Sequence, residues 1–183
     1  MLVIQTKEKS FLNEKTLEIV TIPSATIKME HSLISISKWE SIWHDAFLKD
    51  RHMLGGEMTD EMYVSYLQCM TLNGPFDPLI YVAFDDKEVE QISNYMQNPM
   101  TGTKFKETRG PSIGGITTSE EIYWSMFKFG IPKECEKWHI NRLLTLIRVF
   151  SERENPKKLS QKEAMQQMYN KNAYRQAKAK ARH

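Results

Sequence analysis

Between Pro132 and Pro156 the chain reads as one long helix whose apolar residues occupy more than one face. Cys135, Trp138, His139, Leu143, Leu144, Leu146, Ile147 and Phe150 spread too widely around the helical repeat to meet a single neighbour. Such a helix is stable when packed on several sides, so the sequence before it must supply the partners.

That sequence offers several. Ser37-Lys38-Trp39-Glu40 has the spacing of a capping box, and Trp39, Ile42, Trp43, Ala46 and Phe47 form an i, i+3, i+4, i+7, i+8 stripe behind it. Lys49 to Glu57, polar and containing Gly55-Gly56, reads as a loop. Thr59 is placed to cap the next helix, with Asp60 and Glu61 favoured in its first turn by the helix dipole. Met62, Tyr63, Tyr66, Leu67 and Met70 form its apolar face, and Asn73-Gly74-Pro75 breaks it. Asp77-Pro78 restarts a short helix. Asp85 or Asp86 opens another, with Val89, Ile92, Tyr95 and Met96 on one side and an end before Pro99. Residues 98–118, rich in Gly, Thr and Pro, read as a long loop or small hairpin. From Thr118 the helical pattern returns with Ile122, Tyr123, Met126, Phe127 and Phe129, until Gly130 stops it.

Ahead of these helices, Leu17 to Ile22 alternates and stops at Pro23, and Ala25 to Ile36 alternates in part. The pattern predicts a hairpin over about 15–36 that turns at Pro23-Ser24. The expected fold is therefore α+β, mainly α. A small N-terminal β-hairpin packs on a five- or six-helix body at 37–156, making one globular domain of residues 1–156, and a basic helical tail follows at 157–183.

The charge is divided in the same way. Residues 157–183 hold eight Lys/Arg and one acid, a net of +7, whereas the first 156 residues hold 17 basic and 22 acidic side chains, a net of −5. The tail is polar and helix-favouring, with few large apolar residues beyond Met165, Met168, Tyr169 and Tyr174. Three readings fit it: a solvated helix, a docking segment for an acidic or amphipathic protein, or a phosphate-contacting segment. Nucleic acid is disfavoured, because the acidic body repels a polyanion and the tail lacks clustered arginines. No apolar run approaches the length of a membrane span, and the N-terminus lacks the longer apolar region of a secretory signal. The expectation is a protein that stays where it is made, with Cys69 and Cys135 as reduced thiols in the core.

Residue patterns that carry chemistry are scarce. Neither His31, His44, His52, His139 nor His183 belongs to a zinc-spaced motif, and Cys135 with His139 supplies only two ligands. The acid pairs Asp60-Glu61, Asp85-Asp86 and Glu120-Glu121 fall at helix starts, where the dipole accounts for them. Glu30-His31-Ser32 resembles a triad fragment on paper, but neighbours along a strand point to opposite faces. Gly110 to Gly115 lacks the Lys-Ser/Thr of a phosphate loop. The reading is a non-enzymatic binder with no catalytic residue, metal or cofactor.

The segment Glu30-His31-Ser32-Leu33-Ile34-Ser35-Ile36-Ser37-Lys38-Trp39-Glu40, followed by Trp43 and Phe47, resembles a block of a family encoded among the tail genes of tailed bacteriophages. Further blocks match in order: Met58-Thr59-Asp60-Glu61, Met70-Thr71-Leu72, Asn98-Pro99-Met100-Thr101, Glu121-Ile122-Tyr123-Trp124, and Lys137-Trp138-His139-Ile140-Asn141-Arg142-Leu143-Leu144-Thr145-Leu146-Ile147. Together they cover most of residues 27–165. Gly102 stands where the family pattern has Ala, which loosens a turn, and Lys133 stands where an aromatic is usual, which makes for a wetter helix start. The resemblance is to tail assembly chaperones. It implies a protein of the host cell cytoplasm that keeps the long, aggregation-prone tape measure protein soluble while the tail tube polymerises.

Partners on this reading are the tape measure protein or other phage tail proteins, with self-association left open and no membrane. Docking would use partner helices on an apolar groove, for which the eleven methionines suit an adaptable surface. The candidate contacts are Trp39, Trp43, Trp124 and Phe127 on the helices, and Lys157, Lys158, Arg175, Lys178 and Arg182 on the tail. The alternatives are a structural virion component, such as a connector or tail accessory protein, and a nucleic-acid binder that uses the tail.

Overall fold

The computed structural model describes residues 1–13, 17–48, 58–105, 118–154, 165 and 168–172. Four strands come first: β1 (Leu2–Gln5), β2 (Lys9–Asn13), β3 (Glu18–Ile22) and β4 (Thr26–Met29). The α-helices with described bounds follow: α1 (Leu33–Trp43), α2 (Asp60–Met70), α3 (Leu79–Val82), α4 (Asp86–Gln97), α5 (Ser119–Lys128) and α6 (Ile140–Glu154). A 3-10 turn at Lys133–Lys137 precedes α6. The fold is α+β and mainly α. It divides into two compact units, Met1–Arg148 and Val149–His183.

The hairpin is larger than expected and paired differently. Strands β3 and β4 do not turn back on each other at Pro23-Ser24. Instead β3 pairs with β2 and β4 with β1, both antiparallel. In every pair of both ladders the residue numbers add to 31, from Leu2 with Met29 to Asn13 with Glu18. The two ladders are thus one long ribbon interrupted between Thr6 and Lys9 on one arm and at Pro23 to Ala25 on the other. Proline has no N–H for a ladder bond, so an interruption at Pro23 is expected. Thr6 and Ala25 hold the break together: Thr6 N donates to Ala25 O at 2.9 Å, and Ala25 N donates to Thr6 Oγ1 at 2.9 Å. Alternation along β1 and β4 sends Ile4, Ile27 and Met29 into the core. The free edge of β4 is covered by the end of α2, through Glu30 N to Met70 O and Leu72 N to Lys28 O.

Helix α1 begins five residues earlier than the sequence suggested. Its cap is Ser32, whose Oγ accepts from Ser35 N, while Ser37 lies inside the helix. The residues read as the end of a strand, Leu33 to Ile36, are its first turn. Leu33, Ile36 and Trp39 are fully buried, and each such side chain contributes about 2 kcal/mol through its removal from water. His44 in the left-handed conformation ends α1 after Trp43, so Ile42 faces solvent instead of extending the apolar stripe.

Local signals mark the other helices well. Thr59 caps α2 through its bond from Met62 N, and Tyr66, Leu67 and Met70 are its buried face. Asp77 Oδ1 accepts from Leu79 N at the start of α3. Asp85 and Glu88 form a reciprocal capping box on α4, which ends at Gln97. The last long helix departs from expectation. Pro132 leads only into the 3-10 turn, Trp138 is extended, and α6 starts at Ile140. The reason is non-local: His139 bridges to Ser32, and Ile140 N donates to His31 O at 2.7 Å. Its buried residues, Ile140, Leu143 and Ile147, lie on one face, and Leu144 and Leu146 pack half-buried against the core beside them. Among the described residues no helix is long and apolar enough to cross a membrane.

Candidate partner-binding surface

Helix α5 is held firmly at both ends. Glu120 and Glu121 occupy its first turn, where the dipole favours them, and Lys128 its last. Gly130, at φ +63°, follows the end in the left-handed conformation that glycine adopts without strain. Gly130 N then donates to Phe127 O and Ile131 N to Met126 O, which is the Schellman pattern. Met126 and Ile131 are both buried, completing the apolar contact that goes with it.

With Ile122 and Met126 turned into the core, i+4 geometry sends Trp124 and Phe127 to the opposite side. Trp124 is 64% exposed and Phe127 80%. The Lys128 ammonium lies over the Trp124 ring at 5.4 Å from its centroid. Beside them, Tyr123 OH donates to Glu136 at 3.0 Å, and burial, then that carboxylate, push its hydroxyl up to about 12.

At the N-terminal end of α5 an open groove of about 510 Å³ is lined by Glu40, Ser41, His44, Asp45, Ala46, Thr118 and Glu120. Glu40 ties its walls together. The carboxylate is buried and accepts from Phe47 N at 2.9 Å through one oxygen and from Ser119 N at 2.8 Å through the other. One side chain on α1 therefore satisfies both the segment after α1 and the start of α5. The capping role expected for Glu40 is replaced by this longer-range one.

The aromatic candidates divide. Trp39 is 0% exposed, its indole N–H donates to Met62 O, and its ring packs edge-on to Phe47; it is a core residue with no face for a partner. Trp43 is half-buried, stacked on Trp39, with its N–H on Ser65 Oγ at 3.0 Å. Trp124 and Phe127 are the two that face solvent. Lys157, Lys158, Arg175, Lys178 and Arg182 lie outside the described residues, as does 106–117 of the segment read as a loop. Within the tail, Met165 and residues 168–172 are helical, and Met165, Met168 and Tyr169 are exposed.

A second constellation joins residues that stand far apart in the sequence. His31 and His139, 108 positions apart, meet edge to face with ring centroids at 5.1 Å. His31 Nδ1 and Tyr66 OH are hydrogen-bonded, and Tyr95 OH donates to Glu30, whose other oxygen pairs with the Met1 ammonium at 2.7 Å. His139 Nε2 lies 3.0 Å from Tyr95 O and its Nδ1 3.3 Å from Asn141 N. Only the neutral tautomer with hydrogen on Nε2 satisfies both contacts. Burial, then the neighbouring His139, lower His31 to about 3; burial also lowers His139, against the opposing pull of its bond to Tyr95 and of Glu30. His31, Tyr66 and His139 are buried, whereas Glu30 and Tyr95 are half-buried and Met1 is exposed. Cys135, read as sharing a helix with His139, sits instead in the 3-10 turn; it and the half-buried Cys69 are free thiols. Among the described residues no group of three or more His, Cys, Asp or Glu is arranged to hold a metal ion.

No family model, curated protein or solved structure matches the chain, so the likeness to phage tail proteins rests on the sequence blocks alone.

Proposed function

We propose that this protein is a non-enzymatic tail assembly chaperone of a tailed phage, binding the tape measure protein in the host cytoplasm during tail morphogenesis. The observation that carries the reading is the exposed pair Trp124 and Phe127 on a helix whose other face is fixed in the core. Aromatic side chains offer large contact area at small entropic cost, and a rigid helix presents them without reorganisation. Residues three and seven apart on a partner helix would meet such a stripe. The resemblance supplies the partner's identity.

Co-purification from infected cells tests the proposal. The full chain should bring down the tape measure protein, and the double variant Trp124→Ser/Phe127→Ser should lose it while keeping the far-ultraviolet circular dichroism of the parent. Recovery of the protein as a stoichiometric part of purified virions, with no tape measure protein bound beforehand, would assign it to tail structure instead.

A further inference from the structure

The exposed stripe on α5 continues into the groove at its N-terminal end. Glu120 lines that groove and stands one helical turn from Trp124, so acid and aromatic share a face. Asp45 adds a second carboxylate to the lining, and Lys128 stands at the far end of the stripe. This surface suits an amphipathic helix that carries positive charge beside adaptable apolar side chains.

The same chain carries residues of that kind in its tail. Met165, Met168 and Tyr169 are spaced i, i+3, i+4 and exposed, and Lys171 follows them. Around them the sequence places eight Lys/Arg against one acid over residues 157–183. Methionine stripes pack on aromatic rings through polarizable sulfur and tolerate imperfect fit.

We infer that the α5 face is occupied by the C-terminal helix of a second copy of this chain. The inference rests on the reading of α5 as a docking face and adds self-association as the resting state. Area favours a reciprocal exchange. A standard interface buries about 1,600 Å² in total, and a reciprocal exchange in a two-fold pair supplies two copies of the contact toward that area instead of one. A tape measure helix would then compete with the exchanged tail, which keeps the aromatic face covered until its client arrives.

Sedimentation equilibrium on full-length chains tests this with two variants, both altered only at exposed residues. One changes the face (Trp124→Ser/Phe127→Ser) and the other the tail (Met165→Ser/Met168→Ser/Tyr169→Ser). The parent should dimerise at low salt, with an affinity that falls as salt screens the charged rim. Each variant alone should dimerise at least tenfold more weakly. A mixture of the two should associate more strongly than either variant alone and more weakly than the parent, since one intact tail then meets one intact face and the second contact is missing. A monomeric parent, dimerisation that survives in either variant, or a mixture no better than its components would overturn the inference. If the parent is monomeric and the face variant still loses the tape measure protein, the chaperone reading stands alone. If the exchange holds and the parent binds no tape measure protein, the reverse is true.

Discussion

Lowering the pH from 7.5 to 5.0 tests the buried histidine pair. His31 is buried between Tyr66, Phe47 and His139, and its imidazole is held at about 3 against an ordinary value of 6.5. The folded protein therefore keeps His31 neutral over this range, whereas the unfolded chain takes up a proton below its ordinary value. Stability is intact above that value and falls as pH drops through the window between the two. The slope approaches about 1.4 kcal/mol per pH unit, so His31 alone removes about 2 kcal/mol by pH 5.0. His139, also lowered by burial, acts in the same direction. Urea denaturation at the two pH values measures the loss, and carboxylates with ordinary values stay largely ionised throughout. The variant His31→Gln should show a much smaller difference between the two conditions. Should that variant fail to fold, the imidazole proton resonance of His31 in the parent gives the same information. Titration of that resonance near 6.5, or an equal pH effect in parent and variant, would refute the reasoning.

Other outcomes follow from the same geometry. Ser32→Ala should lower stability by about 1 kcal/mol by removing the cap of α1, whereas Ser37→Ala should change it by less than about 0.5 kcal/mol, both read by thermal or urea unfolding. Glu40→Ala leaves two buried N–H groups without acceptors and should cost about 2–4 kcal/mol, with Glu40→Gln recovering part because its amide oxygen serves one of them. Trp39→Ala should cost about 3–5 kcal/mol, while Trp124→Ser should leave the unfolding midpoint almost unchanged, which separates the core indole from the surface one.

What could be read from the sequence depended on how local the cause was. Thr59, Asp85 and Gly130 each act within a few residues of themselves and mark a helix boundary where the spacing placed it, and Asp77 does so one residue off, with Pro78 at the cap position it was expected to hold. Ser37 misled because its spacing to Glu40 satisfies the capping pattern, while Glu40 is instead drawn to Phe47 and to Ser119, 79 positions away. The α6 boundary moved for a similar reason, since the bridge from Ser32 holds His139 extended. Strands β1 and β2 carry too weak an alternation to announce themselves, and their partners become clear only through pairing. For the candidate surface, periodicity grouped Trp39 with Trp124 as helical aromatics. It carries no information on which side of each helix meets the core, and burial answers that differently for the two.

The shared numbering of the two strand ladders has a consequence for how this protein can vary in length. Since residues pair by a constant total, a single insertion between Thr6 and Lys9 with no counterpart between Pro23 and Ala25 would throw one ladder out of step with the other. A one-residue slip sends every side chain of a strand to the opposite side, so Ile4 and Ile27 would be expelled to water or Lys28 driven inward. Viable homologues should therefore gain or lose residues at this break in matched pairs, and otherwise place their length differences beyond the far end of the ribbon.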